Sequence, residues 1–290
     1  MKKRSIITSF VLAGTLLLGA CSAGSDTTTS AGTSAGTTAG DVTEVRVGVV
    51  GSKHELWDKI QENLRAENIE IEIVELTDYN TPNRALADGD LDLNSFQHHI
   101  FFDDFNEANN TDLVSIGDTF LSPIGLYSDK YSSPAEIQDG DQIAIPNDPT
   151  NLGRALKVLE AADLITLKDP ANLAPTQEDI SENPRNLEIV EVDAAQIPRN
   201  IQDVGAAIIN TDFAVEAGFS PANDAIFLEP VTDASQPYYN LIAARAEDKD
   251  NPVYKRIVEE YQSQEIGDLM IEIYDGAQFP VWEGYEDSNE

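Results

Sequence analysis

The stretch "EVRVGVVGSKHELWDKIQENLRAENIEIEIVEL", residues 44–76, determines the fold class. It begins with an alternating and then apolar run that ends at Gly51, which is typical of a strand entering a sheet. Apolar residues spaced four apart from Leu56 to Leu64 predict an amphipathic helix. The isoleucines of residues 69–73 then alternate on one face of a second strand. A strand, a helix and a second strand in succession indicate a parallel α/β sheet.

The same alternation of strands and helices continues along the chain. Thr81 or Asn80 is expected to cap a second helix, which has Pro82 in its first turn and ends near Gly89. The other predicted elements are strands at 91–96, 141–146, 187–193, 206–209 and 238–245, helices at 149–165 and 194–204, a helix after residue 210, and a helix or helix pair at 251–274.

These elements form two α/β blocks of similar size, with a late strand and helix left over. We therefore expect two lobes between which the chain crosses more than once. Lobe 1 is predicted over residues 41–122 and lobe 2 over residues 123–231, and residues 232–290 are predicted to return to lobe 1. Ligands of such folds bind beyond the carboxyl ends of strands, and a cleft between lobes is a favoured site.

The N-terminal region is predicted to be a signal followed by a tether. Residues 1–20 combine a basic start with an uncharged apolar run that is too short for a membrane span. The run ends in "LLGAC", which resembles the lipobox of bacterial lipoproteins, so Cys21 is predicted to be lipidated. The rest of residues 21–40 is small or polar and is expected to be a flexible tether. Since Cys21 is the sole cysteine, no internal disulfide is expected.

The composition excludes several classes of function. The chain has 52 acidic and 18 basic residues and a formal net charge of −34, and this field repels nucleic acid and anionic lipid. The sequence has no Walker-type glycine loop and no GxGxxG motif, and its GxSxG string at residues 32–36 lies in the predicted tether, where no strand precedes it to form a nucleophile elbow. We therefore expect a monomeric protein that is not an enzyme and needs no cofactor.

The histidines leave a metal site open as an alternative. His98 and His99 are adjacent, and Asp103 lies four residues after His99, which would place the latter two on one helix face. Adjacent histidines point in different directions on a helix or a strand, and HExxH is absent. Polar residues that line a pocket or a surface are the other interpretation of this pair, and no metal is expected.

Polar residues recur where predicted strands end. They are Phe96 to His98, Asn147 to Arg154, Asn210 with Thr211, and Tyr238 to Asn240. Each group alone is also explained by capping or turn formation, and Asp148 with Pro149 is expected to cap and start the following helix. Together the groups predict a pocket for the charged groups of a small ligand, into which Arg154 reaches from about one and a half turns inside the helix.

Long ungapped segments resemble the MetQ/NlpA lipoprotein family. They are "FQH" (96–98), "IPNDPTNLGRALKVLEAADLI" (145–165), "NPRNLEIVEVDAAQIPR" (183–199), "AAIINTDFAVEAG" (206–218) and "GAQFPVW" (276–282). The resemblance extends from the lipobox almost to the C-terminus. It implies a two-lobed fold like that of periplasmic binding proteins, with mixed, mostly parallel sheets and a ligand cleft between the lobes. It also implies capture of methionine, with the L-enantiomer expected, and its delivery to an ABC transporter permease with its ATPase.

The same resemblance implies six ligand-binding residues: Arg154 for the ligand carboxylate, Asn210 and Asn240 for its α-amino and carboxylate groups, and Tyr79, Phe96 and His98 for the side-chain pocket.

The chain departs from the family pattern beside the predicted cleft. It has His99 and Ile100 where relatives often carry Lys-Pro, and its first loop, "VGSKHELW", differs from the Pro- and Gly-rich version. A methionine-containing dipeptide or another amino acid is therefore the alternative ligand. A metal-binding component of a similar importer, and a surface interaction protein without transport, are the alternative classes.

Overall fold

The computed structural model describes residues 42–52 and 54–286. The predicted signal (1–20), the lipidation site Cys21 and the predicted tether (21–40) lie outside the described residues. The strands are β1 Thr43–Val50, β2 Ile69–Leu76, β3 Leu93–His98, β4 Val114–Asp118, β5 Phe120–Leu121, β6 Gly125–Tyr127, β7 Gln142–Pro146, β8 Thr166–Leu167, β9 Ile180–Glu182, β10 Glu188–Val192, β11 Ala206–Ile209, β12 Phe227–Leu228, β13 Asn240–Ala244 and β14 Phe279–Pro280.

The helices fall between these strands. None within the described residues is long and apolar enough to cross a membrane. Short 3₁₀ segments occupy Arg65–Glu67, Pro134–Glu136, Gln177–Asp179, Ala194–Asp203, Asp233–Tyr238 and Ala246–Asp248. The α-helices are α1 Glu55–Leu64, α2 Pro82–Asp88, α3 His99–Asn109, α4 Pro149–Ala161, α5 Thr211–Glu216, α6 Pro221–Asp224, α7 Pro252–Tyr261 and α8 Gln264–Tyr274.

The first large sheet has the strand order β2-β1-β3-β13-β4. β1 pairs in parallel with β2 and with β3, whereas β13 runs antiparallel to both of its neighbours. The late strand predicted after residue 238 thus lies inside the sheet built from the first third of the chain. The lobe boundaries at residues 122 and 231 stay predictions, because strand pairing shows only which strands share a sheet.

The helix predicted from four-residue spacing packs on this first sheet. Leu56, Ile60 and Leu64 of α1 are buried, and Tyr261 of α7 stacks on Trp57 with ring centroids 5.3 Å apart. Burying a large apolar side chain contributes about 1.5–3 kcal/mol, so this face holds α1 against the sheet.

The second large sheet has the order β10-β7-β11-β6-β12. β7 pairs in parallel with β10 and β11, and β6 is antiparallel to β11 and β12. Its core is built from alternating strand residues such as Ile143 and Ile145 and from the buried face of α4, including Leu156 and Leu159. Both sheets are therefore mixed, which confirms the predicted two-lobed α/β fold class.

Two predicted elements differ from the structure. The third strand lies at Leu93–His98 rather than at 91–96, because Leu93 pairs with Val47 and Asp92 is held by Arg46 through backbone and side-chain hydrogen bonds of 2.9 Å. Residues 194–204 were predicted to be a helix, and the helix at Ala194–Asp203 is of the 3₁₀ type rather than an α-helix. Pro198 lies inside that segment, and its ring removes an amide donor and clashes with the preceding α-helical turn.

Candidate ligand-binding site

A cavity is lined in part by side chains of β3 and β13 in the first sheet and by side chains of α4 and α5, which follow strands of the second sheet. All six residues predicted to bind the ligand line it: Tyr79, Phe96, His98, Arg154, Asn210 and Asn240. The structure therefore brings together every predicted site residue. The lining also includes Gln97, Phe101, Phe120, Ser122, Ile124, Asn151, Thr211 and Asp212.

The cavity lies where strands of the two sheets end. His98 is the last residue of β3, and Asn240 is the first residue of the antiparallel β13, so the two are paired across the ladder at the same edge. On the second sheet, Asn210 follows the last residue of β11, and Arg154 lies in α4 after β7. The sequence analysis predicted that these residues meet where strands end, and the strand directions bring them to the cavity.

Arg154 is buried and already has an acidic partner. Its Nε donates to both carboxylate oxygens of Glu229 at 2.9 and 3.1 Å, and its Nη2 donates to Glu229 Oε2 at 2.5 Å and to the Ser122 carbonyl at 2.9 Å. Its guanidinium carbon lies 4.4 Å from the ring centre of Tyr238. Planar two-point pairing fixes the guanidinium in one orientation. Only the Nη1 side donates no hydrogen bond to a described residue.

The start of α4 explains how Arg154 is positioned. Asp148 caps the helix and accepts from the backbone amide of Asn151 at 3.0 Å, as predicted. Gly153 allows the helix to pack closely, since a Cβ there would lie 2.8 Å from the Cα of Ala174. The next residue, Arg154, is thereby held on the buried side of α4.

His98 is a buried, neutral histidine. Its Nδ1 accepts from the backbone amide of Phe101 at 3.1 Å, so the ring proton lies on Nε2, which is 3.4 Å from Asn151 Oδ1. Burial, with the nearby positive charge of Arg154, lowers the pKa of His98 to about 3. The same Asn151 oxygen accepts from Asn210 Nδ2 at 2.9 Å. A hydrogen-bonded chain thus connects the two sheets across the cavity.

One side of the cavity is aromatic. Tyr79 lies 5.9 Å from Phe96 and 6.1 Å from Phe101, and Phe96 lies 5.8 Å from Phe101 in an edge-to-face arrangement, all between ring centres. Tyr79 also packs on Phe213 of the second sheet's α5 at 4.8 Å. Such edges suit an apolar or sulfur-containing side chain.

Two polar atoms of the cavity lining have no hydrogen-bond partner among the described residues, and a third group, Asp212, has neutral partners only. Ser122 Oγ and Asn210 Oδ1 are buried, line the cavity and form no hydrogen bond within the described residues. Asp212, in the first turn of α5, accepts from Gln278 Nε2 at 3.2 Å. Burial raises the pKa of Asp212 to about 6, and hydrogen bonds from Gln278 and Tyr79 oppose that rise. These groups leave hydrogen-bonding capacity for a polar ligand.

His99 points away from the cavity that His98 lines. Its Nε2 lies 2.7 Å from Asp118 Oδ1, and this hydrogen bond raises the pKa of His99. Among residues 42–52 and 54–286, no three His, Cys, Asp or Glu side chains are grouped so as to hold a metal ion. The structure therefore separates the two histidines on which the metal alternative depended.

Comparison with known proteins places the chain in a family. The family model of the NlpA lipoprotein matches residues 45–282. The chain belongs to the NlpA lipoprotein family. The D-methionine-binding lipoprotein MetQ of Escherichia coli K12 is 41% identical over 246 residues, which cover 83% of this chain and 90% of that protein. The predicted family is confirmed.

Solved structures of NlpA-like binding proteins share the fold. The substrate binding protein of a methionine transporter from Streptococcus pneumoniae has a TM-score of 0.79 and 39% identity, with 82% of this chain and 96% of that chain covered. A nutrient binding protein from Burkholderia cenocepacia bound to methionine has a TM-score of 0.77 and 43% identity, with 82% and 100% covered. These relatives confirm the predictions of a binding protein rather than an enzyme and of a two-lobed fold.

Sequence reasoning missed Phe101, Phe120, Ser122 and Asp212 of the cavity lining, together with Glu229, which holds Arg154 in place. Glu229 is one of 52 acids, and its contact with Arg154 spans 75 positions of sequence, so no local pattern marks it. Ser122 lies outside any predicted element. Phe101 and Asp212 could have been predicted more easily, since each lies within three residues of a predicted site residue at a strand end.

Proposed function

We propose that this NlpA-family protein captures free methionine in the cavity and delivers it to an ABC transporter permease with its ATPase. One observation carries the proposal: a single cavity combines a fixed guanidinium, free amide and hydroxyl groups, and an aromatic wall. A zwitterionic amino acid with a thioether side chain offers a matching group to each of them. The E. coli relative and the methionine-bound structure support this choice of ligand.

The ligand carboxylate is assigned to the end of the cavity that Arg154 lines. The free Nη1 side of Arg154 and the unpartnered Ser122 hydroxyl are the available donors there. Asn240, whose side-chain amide forms no hydrogen bond with a described residue, supplies a further donor from the first sheet. Hydrogen bonds to a charged group contribute about 1.5–3 kcal/mol each, so these contacts favour binding of the carboxylate.

The thioether is assigned to the aromatic side. Tyr79, Phe96 and Phe101 provide ring edges, and neutral His98 adds a polar but uncharged surface. Contacts between sulfur and aromatic rings contribute about 0.3–1.5 kcal/mol each. An uncharged His98 avoids an unpaired buried charge beside the apolar part of the ligand.

The two sheets are expected to approach each other when the ligand binds, because lining residues belong to or follow strands of both sheets. His98 and Asn240 belong to the first sheet, whereas Arg154 and Asn210 follow strands of the second. A ligand that contacts both groups stabilises the arrangement in which the sheets approach, and it shifts that equilibrium by its difference in affinity between the two states. No bond is made or broken in this mechanism; the protein holds the ligand until the permease accepts it.

Calorimetry with purified protein tests the proposal. Titration with L-methionine, D-methionine, a methionine-containing dipeptide and leucine is expected to give the tightest binding for free methionine and to report the enantiomer preference. Native mass spectrometry of the protein as isolated identifies any ligand that co-purifies. If the dipeptide binds more tightly than methionine, the dipeptide is the ligand. If none of the four compounds binds, the proposal is overturned.

We further propose that a lipid on Cys21 anchors the mature, monomeric protein to the outer face of the cell membrane. Cys21→Ser is expected to move the protein from the membrane fraction to the soluble fraction, because a hydroxyl cannot carry the thioether-linked lipid. Fractionation followed by immunoblotting measures this change. Ser22→Ala is the control, since it alters the neighbouring residue and leaves the thiol. Membrane retention of Cys21→Ser would contradict the assignment.

A further inference from the structure

Asp212 is an acidic residue on the cavity wall without a basic partner. None of the ion pairs among the described residues includes it, and its hydrogen-bond partners are the neutral side chains of Gln278 and Tyr79. The other titratable groups that face it are Tyr261 and Tyr274 from the C-terminal helices and Glu216 from its own helix. Among residues 42–52 and 54–286, the titratable groups around this carboxyl are therefore neutral or acidic.

A carboxylate in such surroundings is costly to keep ionised. Burial disfavours its charged form, and no cation of the described part of the chain offsets that cost. The raised pKa of Asp212, about 6, is the result. A positively charged group that entered the cavity would relieve this cost and would restore the ionised carboxylate.

A second, independent group points to the same kind of ligand. Asn210 is more than nine-tenths buried and lies two residues before Asp212, and its Oδ1 accepts no hydrogen bond from a described residue. Both side chains line the cavity. A carboxylate and an unpartnered amide oxygen are acceptors that require a donor with several N–H groups. An ammonium group has three such donors.

Arg154 gives the same cavity a group of opposite charge. It lines the cavity, and its guanidinium is positive and buried, although Glu229 neutralises it in part. The lining therefore includes one group that suits an anion and another that suits a cation. A free amino acid carries both kinds of charged group.

We propose that Asp212, with Asn210 Oδ1, forms the subsite for the ligand's α-ammonium group and makes this site selective for ligands with a free amino group. This inference rests on the proposed function, since it assigns one group of the same ligand. It also distinguishes the contacts of the ligand's two charged groups, because a ligand without the amino group keeps its carboxylate contacts and loses those to Asp212.

The test compares two ligands and two variants by calorimetry. The ligands are methionine and 4-(methylthio)butanoate, which is methionine without its amino group. The variants are Asp212→Asn, which keeps the shape and removes the charge, and Glu216→Gln, which removes an exposed charge from the same helix and does not line the cavity. Asp212→Asn is expected to weaken methionine binding by about 10- to 100-fold and to leave the des-amino ligand within about twofold. Glu216→Gln is expected to leave both affinities near wild type.

The pH dependence gives a second readout. Since the carboxylate binds the ammonium only when ionised, the wild-type affinity for methionine is expected to be full above pH 6 and to fall by up to about tenfold per unit below it. His98, with a pKa of about 3, stays neutral through that range. Asp212→Asn is expected to show a flat profile between pH 5 and pH 7.5, with thermal unfolding no lower than that of the wild type.

The outcomes separate this inference from the proposed function. Wild-type protein that binds no methionine overturns both. Wild-type protein that binds methionine, with unchanged binding by Asp212→Asn, overturns the ammonium subsite alone. Equal weakening for both ligands also overturns it, because Asp212 would then act on the shape of the cavity rather than on the amino group.

Discussion

Arg154→Ala is expected to weaken methionine binding by about tenfold or more and to lower the free energy of unfolding by about 3–5 kcal/mol. The first effect follows from the loss of a charged donor in the cavity. The second follows because Glu229 would be left buried without its partner, since the exposed fractions of the two side chains are only 3% and 12%. Calorimetry measures the affinity, and urea denaturation measures the stability.

A double variant separates the two effects. Arg154→Ala with Glu229→Ala removes both charges, so its loss of stability is expected to be smaller than the sum of the two single losses. Its methionine affinity is expected to stay low, because the ligand still lacks its cationic partner. Additive losses of stability would show that the pair is not coupled. If the double variant bound methionine with wild-type affinity, Arg154 would not be a ligand-binding residue.

Elements such as β2 and α2 could be predicted from the sequence because several neighbouring residues in each carry the same signal. β2 at residues 69–76 matches the predicted strand, and α2 begins at Pro82 and ends before Gly89, as expected, although the Thr81 side chain forms no capping hydrogen bond. In both cases several residues repeat the same local rule. β4, β6 and β12 were not predicted, since strands of two to five residues such as "FL" at 227–228 are too short to show alternation.

The positions of the site residues were predictable, but some of their partners were not. Asn210 and Arg154 were recognised because polar residues at strand ends converge in such sheets. Glu229 reaches Arg154 only because β12 pairs antiparallel with β6, which brings Glu229 beside Ile124, whose backbone amide donates to it at 3.1 Å. That contact depends on tertiary pairing over about a hundred residues, which no local pattern contains.

This partner changes the interpretation of Arg154. The family resemblance implied that Arg154 binds the ligand carboxylate, and a guanidinium binds a carboxylate best through two parallel hydrogen bonds. In the structure the Nε–Nη2 face is bound to Glu229, and the remaining Nη1 side is the available donor. Glu229 therefore holds Arg154 in place, and the ligand carboxylate needs the additional donors that Ser122 and Asn240 provide.

Asn240→Ala is expected to weaken methionine binding by about tenfold or more with a loss of stability below about 1 kcal/mol. Asn240 is 6% exposed and lines the cavity, yet its side-chain amide forms no hydrogen bond with a described residue. Its backbone carbonyl still accepts from Thr119 at 2.8 Å after the substitution, so β13 keeps its place in the sheet. Calorimetry and thermal unfolding measure the two quantities on the same sample.

Asn106→Ala provides the reciprocal control. Its amide donates to the Leu113 carbonyl at 3.1 Å and accepts from the Thr111 hydroxyl at 2.8 Å, and it does not line the cavity. This variant is expected to lose stability, because these two hydrogen bonds and the one that Asn106 Oδ1 accepts from the Leu113 amide at 3.2 Å disappear, and to keep its methionine affinity. If Asn240→Ala instead lost stability and kept its affinity, its amide would be structural. The carboxylate would then depend on Arg154 and Ser122 alone, both of which are attached to the second sheet, and the ligand's contact with the first sheet would be mainly aromatic.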